Sequence, residues 1–333
     1  MQAELFPFSP DVGWLPDETL YSLASRYHRL SGHASAALTC QRLFGHARGG
    51  LSSDFPSRIS AFASRTGGAL GDAKSILQSH TIAPAYLPFL SRADASAAAS
   101  ALYGAGISSL KQTLGLTRAR SKIGRRLKAC AACMVEDQKR FGTAYWRRAH
   151  QLPATWTCLI HNEALLESTV EGTGIAHRNW YLPSSQHLRP SEGMPGFPNA
   201  VGHAGFDLLH RLAANAKGLA ALPEQFEFDI EGVSTAYRNA LDRFGFATRN
   251  GERRHAAIVR CFSGYVAPIV GMPEFHALAR GAGGIQPRPG RYRIDPDPTS
   301  HLVLTAWLFD SWGEFISSYQ ASMPRLNSKR IDA

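Results

Sequence analysis

The sequence predicts a mainly α-helical protein in three parts, with a small cross-linked module held between two helical ones. Three observations carry this expectation. Apolar residues recur at helical spacing, as in 16–30 (PDETLYSLASRYHRL), where Leu20, Leu23, Ala24, Tyr27 and Leu30 share one face. Glycines such as Gly32, Gly45 and Gly245 stand where the helical segments end. Cys130 and Cys133 form a CxxC pair, and Cys158 with His161 forms a CxxH pair beyond residues 134–157.

Those four residues dictate chemistry. Each half-site lets a tight turn aim two donors at one point, and three thiolates with one imidazole close a tetrahedral zinc site. With all four positions filled by protein, the site is structural, because a catalytic zinc keeps a position for water. The competing reading is a disulfide or unrelated buried thiols. In a chain of only five cysteines the register favours the metal. Cys40 and Cys261 are left over and read as small buried apolar residues.

At 333 residues the chain has room for two or three units. Its odd cysteine count does not make a secreted disulfide framework. No basic and apolar leader opens it, and no window of about 20 apolar residues would cross a membrane. The expected setting is the cytoplasm. The formal charge of +10 is concentrated: residues 101–150 hold 11 Lys and Arg against 2 acids, while 151–333 hold 17 of each. Lys111, Arg118, Arg120, Lys122, Arg125, Arg126, Lys128, Lys139, Arg140, Arg147 and Arg148 form this excess beside the zinc half-site. A dense basic patch attracts a polyphosphate; the plain alternative is a solvated surface neutralised by nearby acids.

In chain order, Asp17 is placed to cap or enter the first helix, with Glu18 at its positive end. A second helix is expected over 34–44, ended by Gly45, and a third over 54–66, left through Gly67, Gly68 and Gly71. Helix, glycine turn and helix fit a helix-turn-helix, although plain helical hairpins share the pattern. The stretch 79–90 (SHTIAPAYLPFL) is broken by Pro84 and Pro88, and its Tyr86, Phe89 and Leu90 are docking surfaces. His80 has no partner in the metal register and reads as a hydrogen-bonded structural residue. Residues 91–103 are alanine-rich, helical or linker-like. In the zinc loop, 145–150 (YWRRAH) alternates aromatic and basic character. Trp146 and Trp156 are expected in the core, and Arg147 and Arg148 facing solvent or phosphate.

At these residues the chain resembles the TniQ/TnsD family of bacterial transposition proteins. The stretch from Lys128 to Leu166 (KACAACMVEDQKRFGTAYWRRAHQLPATWTCLIHNEALL) is similar to the family's zinc segment, 16–33 to its opening helix, and 79–90 to its proline-broken aromatic segment. Looser likeness continues in TAYRNALDRFGF, RCFSGYVAPIVG and SHLVLTAWLFDSW. The chain departs from the pattern where Ala131 and Leu159 replace the proline after each leading cysteine. The resemblance implies a non-catalytic targeting subunit that helps choose an insertion site. Such a subunit binds DNA or a DNA-bound targeting complex, a guide-RNA effector among the candidates. It passes the choice to an AAA+ ATPase regulator (TnsC/TniB-like), which recruits the transposase. A second copy of the chain is a further candidate partner. The implied metal ligands are Cys130, Cys133, Cys158 and His161, with one zinc ion.

The implied layout is a helical N-terminal domain over 1–110, a basic zinc module over 111–170 and a TnsD-like helical domain over 171–333. In the last, Trp180 and Tyr181 are packing anchors and 190–198 a linker. Helices are expected over 203–222, 234–244, 252–270 and 302–319, with a basic loop at 281–298 bearing Arg288, Arg291 and Arg293. Residues 233–270 make a second helix-turn-helix candidate, with Arg253, Arg254, His255 and Arg260 on its polar face. The expected nucleic-acid contacts are Arg118, Arg120, Lys122, Arg125, Arg126, Lys128, Arg147, Arg148, Arg253 and Arg254. No P-loop, GxSxG or HExxH motif marks an enzyme; acidic Glu136 and Asp137 sit side by side, and the members of an Asp/Asp/Glu nuclease triad can lie far apart in a sequence. Two other functions fit the same residues: a zinc-stabilised adaptor working only through proteins, and a sequence-specific regulator unconnected to transposition.

Overall fold

The computed structural model describes residues 12–104, 126–170, 179–190, 199–223, 225–246, 254–280 and 297–323. Helices dominate. The first, α1 (Leu20–Ser31), starts where the Thr19 hydroxyl accepts the Ser22 N–H and stops at Gly32 in the left-handed region, φ +62°. Asp17 is therefore not the cap: it sits in a turn at φ +58°. Leu30 also departs from expectation, being 70% exposed, because the last turn of α1 runs past the core. Next, α2 (Ala36–Phe44) is capped by Ser35 and ended by Gly45, and it packs on α1 and on α3 (Ile59–Arg65). A helix not foreseen, α4 (Ala73–His80), is started by the Asp72 side chain. The proline-broken stretch forms two single 3-10 turns, Ala83–Ala85 and Leu87–Phe89, all of it buried. α5 (Arg92–Tyr103) follows.

The central segment is short and mixed. A three-stranded antiparallel sheet, β1 (Lys128–Ala129), β2 (Leu166–Ser168) and β3 (Leu188–Arg189), pairs Ala129 with Leu166 and Ser168 with Leu188. Between β1 and β2 lie α6 (Ala131–Phe141) and the single turn α7 (Arg148–Gln151).

In the C-terminal half, α8 (Gly202–Ala220) buries Leu208, Leu209 and Leu212. α9 (Ile230–Arg243) begins four positions before the predicted start, because the carboxylate of Asp229 just ahead of it takes the Gly232 N–H at 2.6 Å. α10 (His255–Val266) is shorter than predicted and leaves Cys261 exposed, so only Cys40 of the two spare cysteines is buried. The expected final helix is two: α11 (Pro298–Leu308) and α12 (Trp312–Ser322). The break is built by Ser311, whose hydroxyl accepts the Glu314 N–H, while Glu314 reaches back to the Asp310 N–H at 2.7 Å. α8 packs on α11, and α9 chiefly on α12.

These parts share one apolar core. A single buried cluster runs from Val12 through Trp146 and Trp156 to Tyr319. The opening segment and the central one are also laced through their backbones. Thr19 N–H donates to Trp146 O at 3.1 Å and Arg148 N–H to Asp17 O at 2.6 Å, and the Ser22 hydroxyl accepts the Trp146 N–H at 3.0 Å. Beneath this seam Glu18, fully buried, holds Arg26 through two hydrogen bonds of 2.8 Å. His80 donates to Glu18 O at 2.7 Å and stacks on Trp14 at 3.4 Å, the structural role expected of it. Burial lowers its pKa to about 4.

Candidate metal centre

Cys130 precedes α6 with extended backbone, so its sulfur sits beside the open N–H groups of the first helical turn, and Cys133 follows within that turn. The second half-site is the tip of a hairpin. Thr157 pairs with Ala164, Cys158 N–H donates to Glu163 O at 2.8 Å, and Asn162 turns the chain at φ +52°. This hairpin returns Leu165 to a small buried cluster with the three cysteines.

The four donor atoms lie within 4.8 Å of one another. His161 Nδ1 is 3.3 Å from Cys133 Sγ, 3.6 Å from Cys130 Sγ and 3.7 Å from Cys158 Sγ, and the Cys133 and Cys158 sulfurs are 3.7 Å apart. A tetrahedral ion bonded at about 2.3 Å to sulfur and about 2.0 Å to nitrogen separates its ligands by roughly 3.8 Å (S to S) and roughly 3.5 Å (S to N). The spacing therefore fits one metal ion. Hydrogen bonds to Cys130 and Cys158 push the Cys133 thiol up, and accepting from Cys130 and Cys133 pushes Cys158 down. Around them, Glu136 Oε1 lies 3.0 Å from His161 Nε2, orienting the ring and raising its pKa, and Glu163 Oε2 lies 3.5 Å from Cys130 Sγ. Glu136 follows Cys133 by one helical turn, a signal the sequence carried.

The basic residues divide. Arg118, Arg120, Lys122, Arg125 and Arg253 lie outside the described residues, as do Lys111, Arg288, Arg291 and Arg293. Arg126 is half-buried and Arg254 exposed. Three others correct the expectation of solvent or phosphate. Lys128 is buried, its ammonium donating to Thr155 O at 2.5 Å and lying 4.6 Å over the Trp156 ring. Arg147 forms a two-pronged pair with buried Asp137, at 2.5 and 3.2 Å, and covers the Tyr145 ring at 5.0 Å. Arg148 donates to Thr81 O at 2.6 Å and Ala220 O at 3.1 Å. All three are internal struts because backbone carbonyls and a buried carboxylate need their protons. The carboxylate pair separates too: Asp137 serves Arg147 and Glu136 serves His161. Trp146 is fully buried and Trp156 nearly so, as expected.

This is a mainly helical protein centred on a Cys3His cluster able to hold one metal ion. Residues 10–165, just under half of the chain, match the TniQ family model. The chain is also similar to the Tn7 transposition protein TnsD of Escherichia coli, 24% identical over 175 residues that make up 52% of this chain and 34% of that protein. No helix among the described residues is long and apolar enough to cross a membrane.

Proposed function

We propose that this protein is a target-site selection factor in DNA transposition, working beside the bacterial nucleoid without catalysing strand transfer. It engages DNA or a DNA-bound targeting complex and recruits an AAA+ regulator, which brings the transposase. The observation that carries this reading is the TniQ segment ending in a closed four-ligand cluster, together with the likeness to a protein named for Tn7 transposition. The donor set of three thiolates and an imidazole suits zinc in a structural role. Arg118, Arg120, Lys122, Arg125 and Arg126, with Arg253 and Arg254, are the proposed phosphate contacts. The layout of 1–110, 111–170 and 171–333 is retained as a division of labour: partner docking, metal-braced basic module, and further DNA contact.

A second reading, the adaptor that works only through proteins, is favoured by one finding: Lys128, Arg147 and Arg148 are engaged inside the protein. Duplex binding across a salt series separates the two. Steep loss of affinity with salt supports phosphate contact, with the slope falling by about 2 in Arg125→Glu/Arg126→Glu. Flat or absent duplex binding, with capture of the ATPase retained, supports the adaptor.

A further inference from the structure

Three aromatic rings form a row on the outside of the C-terminal half. Phe244, just past α9, is 57% exposed. Its ring centre lies 6.4 Å from that of Phe246, which lies 6.2 Å from that of Trp307. Phe246 and Trp307 are half-buried, and Trp307 rests on the buried Phe262 ring at 5.2 Å. The row is thus anchored in the core at one end and open to water at the other. Gly245, at φ +75°, makes the turn between its first two members.

The surrounding chain is cationic. Residues 243–262 contain five arginines and one acid, Glu252. Exposed Arg254 is fastened beside the row by its N–H bond to Phe246 O at 2.9 Å, and Arg260 is exposed on α10. An apolar face alone would suit a protein partner. Rings set among arginines suit a ligand that offers flat π-faces and negative charge together, which is an unpaired nucleic-acid strand.

We propose that Phe244, Phe246 and Trp307 are a stacking platform for unpaired nucleobases, with Arg254 holding an adjacent phosphate. The platform rests on the nucleic-acid reading above at Arg254, and it specifies the form of strand that reading leaves open. The test uses the full chain with labelled oligothymidylate, an abasic strand of equal length and a duplex. The wild-type protein is expected to bind the base-bearing strand about 5- to 100-fold more tightly than the abasic one. Phe244→Ala, at an exposed position, is expected to keep its melting temperature and its duplex affinity while binding oligothymidylate no better than the abasic strand. Phe246→Leu should weaken binding in the same direction. Equal affinity of the wild type for both strands, or an unchanged Phe244→Ala, overturns the platform. Loss of ATPase capture in Phe244→Ala with oligothymidylate binding intact would make this a protein-docking face and also overturn it. If duplex binding is absent while oligothymidylate still discriminates, the duplex reading fails and the platform stands.

Discussion

Glu274 ties the C-terminal half to the central module: its carboxylate accepts the Trp156 indole N–H at 2.7 Å and the Ala154 N–H at 2.9 Å. Both donors belong to the hairpin that leads into the CxxH half-site. Glu274→Ala leaves two donors at buried residues unpaired, a loss of about 2–4 kcal/mol. Limited proteolysis should then cut within 254–280 earlier than in the wild type. An unchanged cleavage pattern and melting temperature would refute the tie.

The metal cluster is expected to be folding energy. Cys130→Ser and His161→Ala should each lower bound metal measured by elemental analysis, and a chelator should lower the wild-type melting temperature but not theirs. Full metal content in Cys130→Ser would dismiss the ligand set.

The two classes of basic residue should behave oppositely. Arg148→Ala strips hydrogen bonds from Thr81 O and Ala220 O and should cost about 2–4 kcal/mol in denaturant unfolding. Arg254→Glu, at an exposed position, should weaken duplex affinity while leaving unfolding nearly untouched. The reverse pattern would show the assignment to be inverted.

His80 predicts a pH dependence. Its folded pKa, about 4, lies below the ordinary value of 6.5. The unfolded chain therefore takes up a proton first, and stability is lost as pH falls through the window between those values. The loss is about 2 kcal/mol by pH 5. His80→Asn keeps a donor for Glu18 O without titrating, so the variant should lose less stability than the wild type between pH 7 and 5. Parallel unfolding curves would remove His80 from the account.

Gly218 admits the Trp312 ring. A Cβ there would stand 2.4 Å from a ring carbon of Trp312. Gly218→Ala should destabilise by about 1–3 kcal/mol, and Trp312→Leu in the same chain should recover part of it. Additive losses in the double variant would show that the ring is not the obstacle.

Much of this was legible in the residues. Gly32 and Gly45 end helices because the left-handed backbone they adopt is written in the residue type, and the CxxC and CxxH spacing located the cluster. Other features were hidden for physical reasons. Strands of two or three residues, such as Lys128–Ala129, are too short to show alternation. The break before α12 rests on Ser311 and Glu314, a capping pair masked by the apolar run around it. Arg147 and Arg148 read as surface charge because nothing local reveals that Asp137, Thr81 and Ala220 stand waiting for their protons.

The seam between Ser22 and Trp146 joins residues 124 positions apart. At about 5–20 residues per second, a ribosome needs roughly 6–25 s to supply the second after the first. Through that interval the side of the nascent opening helix that meets Trp146 stays uncovered, since tryptophan, strut arginine and hairpin are all still unmade. Early exposure of this kind makes the first helix a natural client for a ribosome-associated chaperone, and makes expression yield a property of translation tempo as much as of final stability.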